Sequence, residues 1–212
     1  MKNKKMDTRL MATLAMLAGL LAVMGMTGIG FIPLPVIKAT TMHIPVILGA
    51  ILLGPAAGGF LGLVFGLCSV WANTVTPGLL SFAFSPFMST TGFAGVAKAL
   101  WIAVGCRTLF GWLTGIYWKG FQKLISNQLI SLPVTAAVAT LTHTCLVMGS
   151  IYLLLAQQYA EAKNVAFSAV FGLIMGTVTA SGIPEAVAAA IIVPVLAKAL
   201  LKVLEQMNKR RR

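Results

Sequence analysis

Few side chains in this sequence can do chemistry in an apolar setting, and each stands nearly alone. Arg107, His143 and Glu185 lie inside strongly hydrophobic stretches, with Lys98 and His43 nearer their ends. Ionisable groups at membrane depth are costly and mark functional sites by default. Arg107 has no acid within its own apolar stretch, so it either pairs with Glu185 across a bundle or clamps a substrate carboxylate with its planar fork. His143, set among Thr140, Thr142 and Thr144, is suited to hydrogen-bond an amide or hydroxyl, or else a neighbouring helix. Asn73 follows Trp71 at the end of a glycine-rich run, where an amide has little structural work, while Trp71 alone is equally an interfacial anchor. Glu185 reads either as a first-turn helix-dipole partner or as a ligand contact.

The chain offers no HExxH, no phosphate-binding glycine loop, no paired carboxylates and no spaced Ser, His and Asp set. The residues therefore point to binding rather than catalysis. Cys68, Cys106 and Cys145 fall singly in three apolar runs without CxxC spacing, so neither a disulfide nor a metal or other cofactor is expected.

The elements that position these residues follow from composition. Of 212 residues, 58% are hydrophobic and 9% charged, far below the roughly 25% charged of a soluble domain. This is an integral membrane protein of the all-α class. The excess of basic over acidic residues, 16 against 4, is gathered at the two termini and one internal loop. That distribution is the positive-inside pattern and excludes nucleic acid as the partner.

Residues 38–87 organise the chain. Apolar runs at Thr41–Leu53 and Gly59–Trp71 meet at Gly54–Pro55, where a continuous helix breaks. The second run, folding back on the first, carries Gly58, Gly62 and Gly66 at four-residue spacing, a small-residue face that lets helix backbones approach closely. An uncharged loop, Val75–Thr91, follows. The remaining spans are about Arg9–Gly28, Phe93–Trp118, Gln128–Leu155 and Ile183–Leu204, with Trp112, Tyr117, Trp118 and Lys119 forming an interfacial belt. Lys119–Asn127 is expected to be a cytoplasmic loop. Segments Ile29–Thr41 and Gln157–Asn164 are expected to be outer loops.

Val165–Thr179 is apolar enough to cross, but seven spans would separate two basic termini that both belong in the cytoplasm. Six spans are therefore expected, with 165–180 a re-entrant or outer-surface helix and Ser181 capping the last span ahead of Pro184 and Glu185. The whole chain, 1–212, is one membrane domain with a cytoplasmic N-terminus at 1–9 and a basic cytoplasmic C-terminus at 205–212. Ala12, Ala15, Gly19 and Ala22 place small residues on one face of the first span, for packing within the bundle or for docking another membrane subunit.

The segments ATTMHIPVILGAILLGP, GLVFGLCSVWANT, SFAFSPF and SGIPEAVAAAIIVP resemble the membrane S-components of energy-coupling-factor (ECF) vitamin transporters, and within them the pantothenate-specific branch. The resemblance covers about residues 10–204. It implies a six-helix S-component of the plasma membrane that captures pantothenate from outside. It also implies delivery by toppling, when docked on a transmembrane coupling subunit driven by two cytosolic ATPase subunits. ATP hydrolysis would then belong to those partners. The family docks through an Ala-xxx-Ala pattern on its first helix, which Ala18–Ala22 match and Ala15–Gly19 nearly match. The implied substrate-binding set is Arg107 for the carboxylate, Asn73 and His143 for the amide and hydroxyls, and Trp71 for the apolar centre. Lys98 would add positive potential at the mouth, and Glu185 completes the set. Three alternatives stay open: an S-component for another vitamin or small anionic nutrient, a stand-alone secondary carrier, and a purely structural subunit.

Overall fold

A computed structural model describes residues 8–33, 38–89 and 91–209. The basic residues expected to fix the N-terminal side (Lys2, Lys4 and Lys5) and the last arginines (Arg210–Arg212) lie outside the described residues.

Helix α1 (Thr8–Thr27) leads through a short antiparallel ribbon of β1 (Phe31–Pro33) and β2 (Lys38–Thr40) into α2 (His43–Leu53). Gly54 then turns the chain at φ +95°, a conformation that suits glycine, and Pro55 opens α3 (Pro55–Val75) at a position needing no backbone donor. The loop that follows contains two single 3₁₀ turns, Ser81–Ala83 and Pro86–Met88. Helices α4 (Gly92–Leu100) and α5 (Cys106–Leu124) form one rod, joined by a π turn at Trp101–Gly105. Asn127 caps α6 (Gln128–Lys163), its side chain accepting from the Leu129 N–H at 2.9 Å. Asn164 closes α6 in the left-handed region at φ 52°. A second rod joins α7 (Val170–Thr177) to α8 (Ile183–Lys209) through a π turn at Val178–Gly182.

Five stretches among the described residues are long and apolar enough to cross a membrane: Leu10–Thr27, Pro55–Val75, Gly92–Leu124, Gln128–Lys163 and Phe167–Lys202. Helix α2 is a shorter apolar sixth, almost wholly buried. The fold is thus an all-helical membrane bundle apart from the small ribbon.

The structure corrects several expectations. Residues 167–180 are not a separate surface helix but the first part of the last rod. Ser181 is accordingly not a cap; it lies within the π turn. Pro184 cannot donate to the carbonyl of Ala180, four residues earlier, and the helix widens there instead of ending. The expected outer loop Gln157–Asn164 is helical to Lys163, with a kink at Leu155 (φ −135°, ψ 20°). The expected loop Lys119–Asn127 shrinks to three residues, because α5 continues to Leu124. Trp118 is buried in the core rather than in an interfacial belt. At about 1.5 Å per residue, the rods of 33 and 36 residues exceed a hydrocarbon core of about 30 Å, so their ends project beyond it or the rods tilt.

Candidate functional site

The glycine face of α3 does pack backbone to backbone; its main partner is the rod that carries α5, while α2 also packs on α3 and its Ala50 reaches Gly58. A Cβ on Gly58 would strike the carbonyl oxygen of Gly111, and one on Gly62 the carbonyl oxygen of Arg107. One on Gly66 would come 2.7 Å from Val104 Cα. Further along the seam, a Cβ on Gly115 would fall 2.6 Å from Pro55. Three bare positions therefore set the approach of the rod that carries Arg107.

Arg107 is 5% exposed. Its Nη1 donates to the carbonyls of Ile102 and Ala103, at 3.2 and 2.9 Å, both within the π turn one turn ahead. Its guanidinium carbon lies 4.7 Å from the centroid of Phe65 and 5.3 Å from that of Phe84, so two aromatic faces sandwich the cation. Its Nε is buried without a partner among the described residues. The expected alternative, a structural pair with Glu185, is not what the side chain does.

His143 is buried against Phe110 and Phe65, with ring centroids 4.9 and 5.5 Å away, and stacks over His43 at 6.5 Å. Both nitrogens of each imidazole are buried without a partner among the described residues. Such groups cost about 1–3 kcal/mol each when left unsatisfied, and of the two rings His143 is the one that reaches the cavity described next.

Arg107 and His143 open onto a cavity of about 600 Å³, a typical volume for a small-molecule site. It is lined from α3 by Ser69 and Asn73, from the following loop by residues 76–81 and Phe84, and from α6 by His143, Thr144, Val147 and Met148. The last rod contributes Thr177, Ser181, Gly182 and Glu185, and the ribbon end contributes Phe31 and Thr40. Among the described residues, Arg107 and Glu185 are the charged members of that lining.

Two anchors hold the segments that roof it. Asn73 Nδ2 donates to the Ser69 carbonyl at 2.9 Å, while its Oδ1 accepts from Ser81 Oγ at 3.0 Å. Ser81 Oγ in turn accepts from the Gly78 N–H at 2.8 Å, so Asn73 fixes the 3₁₀ loop. A second link, Thr74 Oγ1 to Ser85 Oγ at 2.7 Å, runs parallel to it. Across the cavity, Glu185 Oε1 accepts from the Thr40 N–H at 3.0 Å. Thr40 Oγ1 donates to the Gly30 carbonyl at 3.1 Å, closing the ribbon on itself. Glu185 therefore ties the β-ribbon to the last rod; it is not the first-turn acid of a separate helix.

Of the six side chains expected at a site, the fold brings Asn73, Arg107, His143 and Glu185 to one cavity. Trp71 is half exposed on the far face of α3, outside the cavity. Lys98 also lies outside it, donating through Nζ to the Leu154 carbonyl at 3.0 Å. Sequence reasoning missed Thr40, Ser69, Ser81, Thr144, Thr177 and Ser181, which carry no signal singly. Phe84 was visible only as part of the run SFAFSPF. Among the described residues no three His, Cys, Asp or Glu side chains gather as metal ligands.

A second candidate surface lies on α1. Leu17 and Leu21 turn into the core, whereas Ala12, Ala15 and Gly19 are exposed and Ala18 and Ala22 half-buried. A Cβ on Gly19 would meet nothing within 4 Å. The small-residue face is thus open at Ala12, Ala15 and Gly19, while Ala18 packs at its edge against the core.

Residues 9–197 match the family model for the substrate-specific component of ECF transporters. The chain is also 32% identical, over 202 residues, to the pantothenic acid transporter PanT of Lactococcus lactis subsp. cremoris (strain MG1363), across 95% of this chain and 96% of that protein. With a bundle of apolar helices around a largely apolar cavity that holds a few polar groups, and a family match over nearly its whole length, the chain belongs to the substrate-specific components of ECF transporters.

Proposed function

We propose that this multi-pass membrane protein is the pantothenate-capturing subunit of an ECF importer. The observation that carries the reading is the buried Arg107 at the wall of a cavity lined, besides the Glu185 carboxylate, by hydroxyl, amide, imidazole and apolar groups. Pantothenate presents one carboxylate, one amide, two hydroxyls and a gem-dimethyl group. Arg107 supplies the charge-assisted contact to the carboxylate. His143 and the Asn73 amide meet the ligand's amide and hydroxyls, and Phe84, Val147 and Met148 meet the methyl groups. The relative of that name in Lactococcus lactis supports the same substrate.

In this reading the ribbon end of the bundle faces the outside and both termini are cytoplasmic, in keeping with the basic residues at each end. The single domain carries no ATP-binding element of its own, so energy comes from a transmembrane coupling subunit and two cytosolic ATPase subunits. The Ala12, Ala15, Ala18, Gly19 and Ala22 face of α1 is the surface that docks on the coupling subunit, and toppling there delivers the vitamin. Lys98 and Trp71 take no part in binding.

Uptake of labelled pantothenate, in cells lacking other routes for it, tests the proposal. Uptake that requires co-expression of the coupling subunit and both ATPases is expected. Uptake by this chain alone would make it a stand-alone carrier. Failure with pantothenate, alongside uptake of another vitamin, would overturn the substrate.

A further inference from the structure

Within that reading, on which this inference rests, the two charged residues of the cavity lining have separate tasks. They stand on opposite walls. Helix α5, which carries Arg107, and the last rod, which carries Glu185, each pack against α2 and α6, and these two helices lie between them. Their partners do not overlap. The Arg107 guanidinium is held by Ile102, Ala103, Phe65 and Phe84, and the Glu185 carboxylate by the Thr40 N–H of the ribbon. The cavity is therefore bipolar, cationic on one side and anionic on the other.

Thr40 occupies only part of Glu185. An ionised carboxylate has about four acceptor positions and no donor, and the Thr40 amide takes one, at Oε1. Thr177 and Ser181, on the same rod, line the cavity beside it. An acceptor-only group facing a ligand satisfies hydroxyl or ammonium donors and repels a second anion.

We infer that Glu185 is a specificity-determining residue: it receives the hydroxyl-bearing end of a ligand whose carboxylate lies at Arg107, and it rejects ligands anionic at both ends. For pantothenate this predicts capture of the free vitamin and exclusion of its form phosphorylated on the terminal hydroxyl. Phosphorylation at that end replaces a donor with a dianion facing a carboxylate, and like-charge juxtaposition of this kind is strongly unfavourable.

The test is calorimetric binding of pantothenate and 4′-phosphopantothenate to the purified wild type and to Glu185→Gln. The glutamine keeps an oxygen for the Thr40 N–H and removes the charge. The wild type is expected to prefer pantothenate by about a hundredfold or more, and E185Q to narrow that preference at least about tenfold. A wild type that binds the two within threefold, or a ratio unchanged in E185Q, overturns the inference and leaves the pantothenate reading intact. Absence of pantothenate binding by folded wild type overturns both. Should E185Q melt like wild type yet bind neither ligand, N-(3,3-dimethylbutanoyl)-β-alanine decides on the wild type, since it keeps the carboxylate, the amide and the carbon skeleton but lacks both hydroxyls. A loss of about thirtyfold or more supports the donor contact, and binding within threefold of pantothenate overturns it.

Discussion

The two long walls of the cavity are built on opposite principles. On the Arg107 side, α3 meets α5 and the π turn before it largely backbone to backbone over Gly58, Gly62 and Gly66. On the Glu185 side, the last rod bends through a π turn at Val178–Gly182 and holds the roofing ribbon through the single bond from Thr40 N–H to Glu185. Along that rod a Cβ on Gly172 or Gly176 would touch nothing within 4 Å. One wall fixes a charge in place. The other packs through side chains instead, as where Gly182 meets Thr144, and leaves an open outer face at Gly172 and Gly176.

That contrast breaks most readily at the fixed wall. Gly62→Leu drives a side chain into the Arg107 carbonyl, which cannot yield as a flexible side chain would. The cost is about 3 kcal/mol or more, and a melting curve in detergent should show a large fall with loss of pantothenate binding. Gly176→Leu, on the open outer face of the last rod, should leave the melt unchanged.

Next in size is the roof. Asn73→Ala removes the acceptor for Ser81 and the donor to the Ser69 carbonyl, at about 1 kcal/mol for each bond. Affinity should fall about tenfold, and limited proteolysis should cut the 76–89 loop faster. Thr40→Ala loses the bonds to Gly30 and Met42 but keeps the N–H that meets Glu185, so a smaller loss, about fivefold, is expected.

The smallest effects sharpen the boundary of the site. Trp71→Ala and Lys98→Met lie outside the cavity, and titration should give affinities within about twofold of wild type. Gly19→Leu should likewise leave binding and melting unchanged, because its surroundings are open. Uptake through the coupling module should nevertheless be lost if this face docks.

The contrast also explains what the sequence made legible. The six apolar segments, the Gly54–Pro55 break and the four-residue glycine period are strong local signals, and each has its counterpart in the fold. Arg107, Asn73, His143 and Glu185 stood out because polar groups are scarce in these spans, and scarcity directed attention to the cavity. The main partner of the glycine face was not legible: the period says that some backbone approaches, and only tertiary packing decides that α5 does.

The π turns were invisible for a different reason. A single extra residue per turn leaves no trace in composition, and Ser181-Gly182-Ile183-Pro184-Glu185 carries every local sign of a helix start. Trp71 misled because an aromatic beside a polar residue has the same local pattern whichever way its helix face turns. Two residues of rotation on α3, about 200°, separate Asn73, which faces the cavity, from Trp71, which faces away from it.

The most direct test of the central claim is calorimetric titration of pantothenate into wild type, Arg107→Lys and Arg107→Ala, each with its melting temperature. Removing the buried cation from a charge-assisted contact should cost R107A at least about 2 kcal/mol, some thirtyfold in affinity. R107K, which keeps the charge without the fork, should fall between the two. An R107A protein that melts normally and binds pantothenate within threefold of wild type would contradict the account and leave Arg107 a structural residue of the fixed wall.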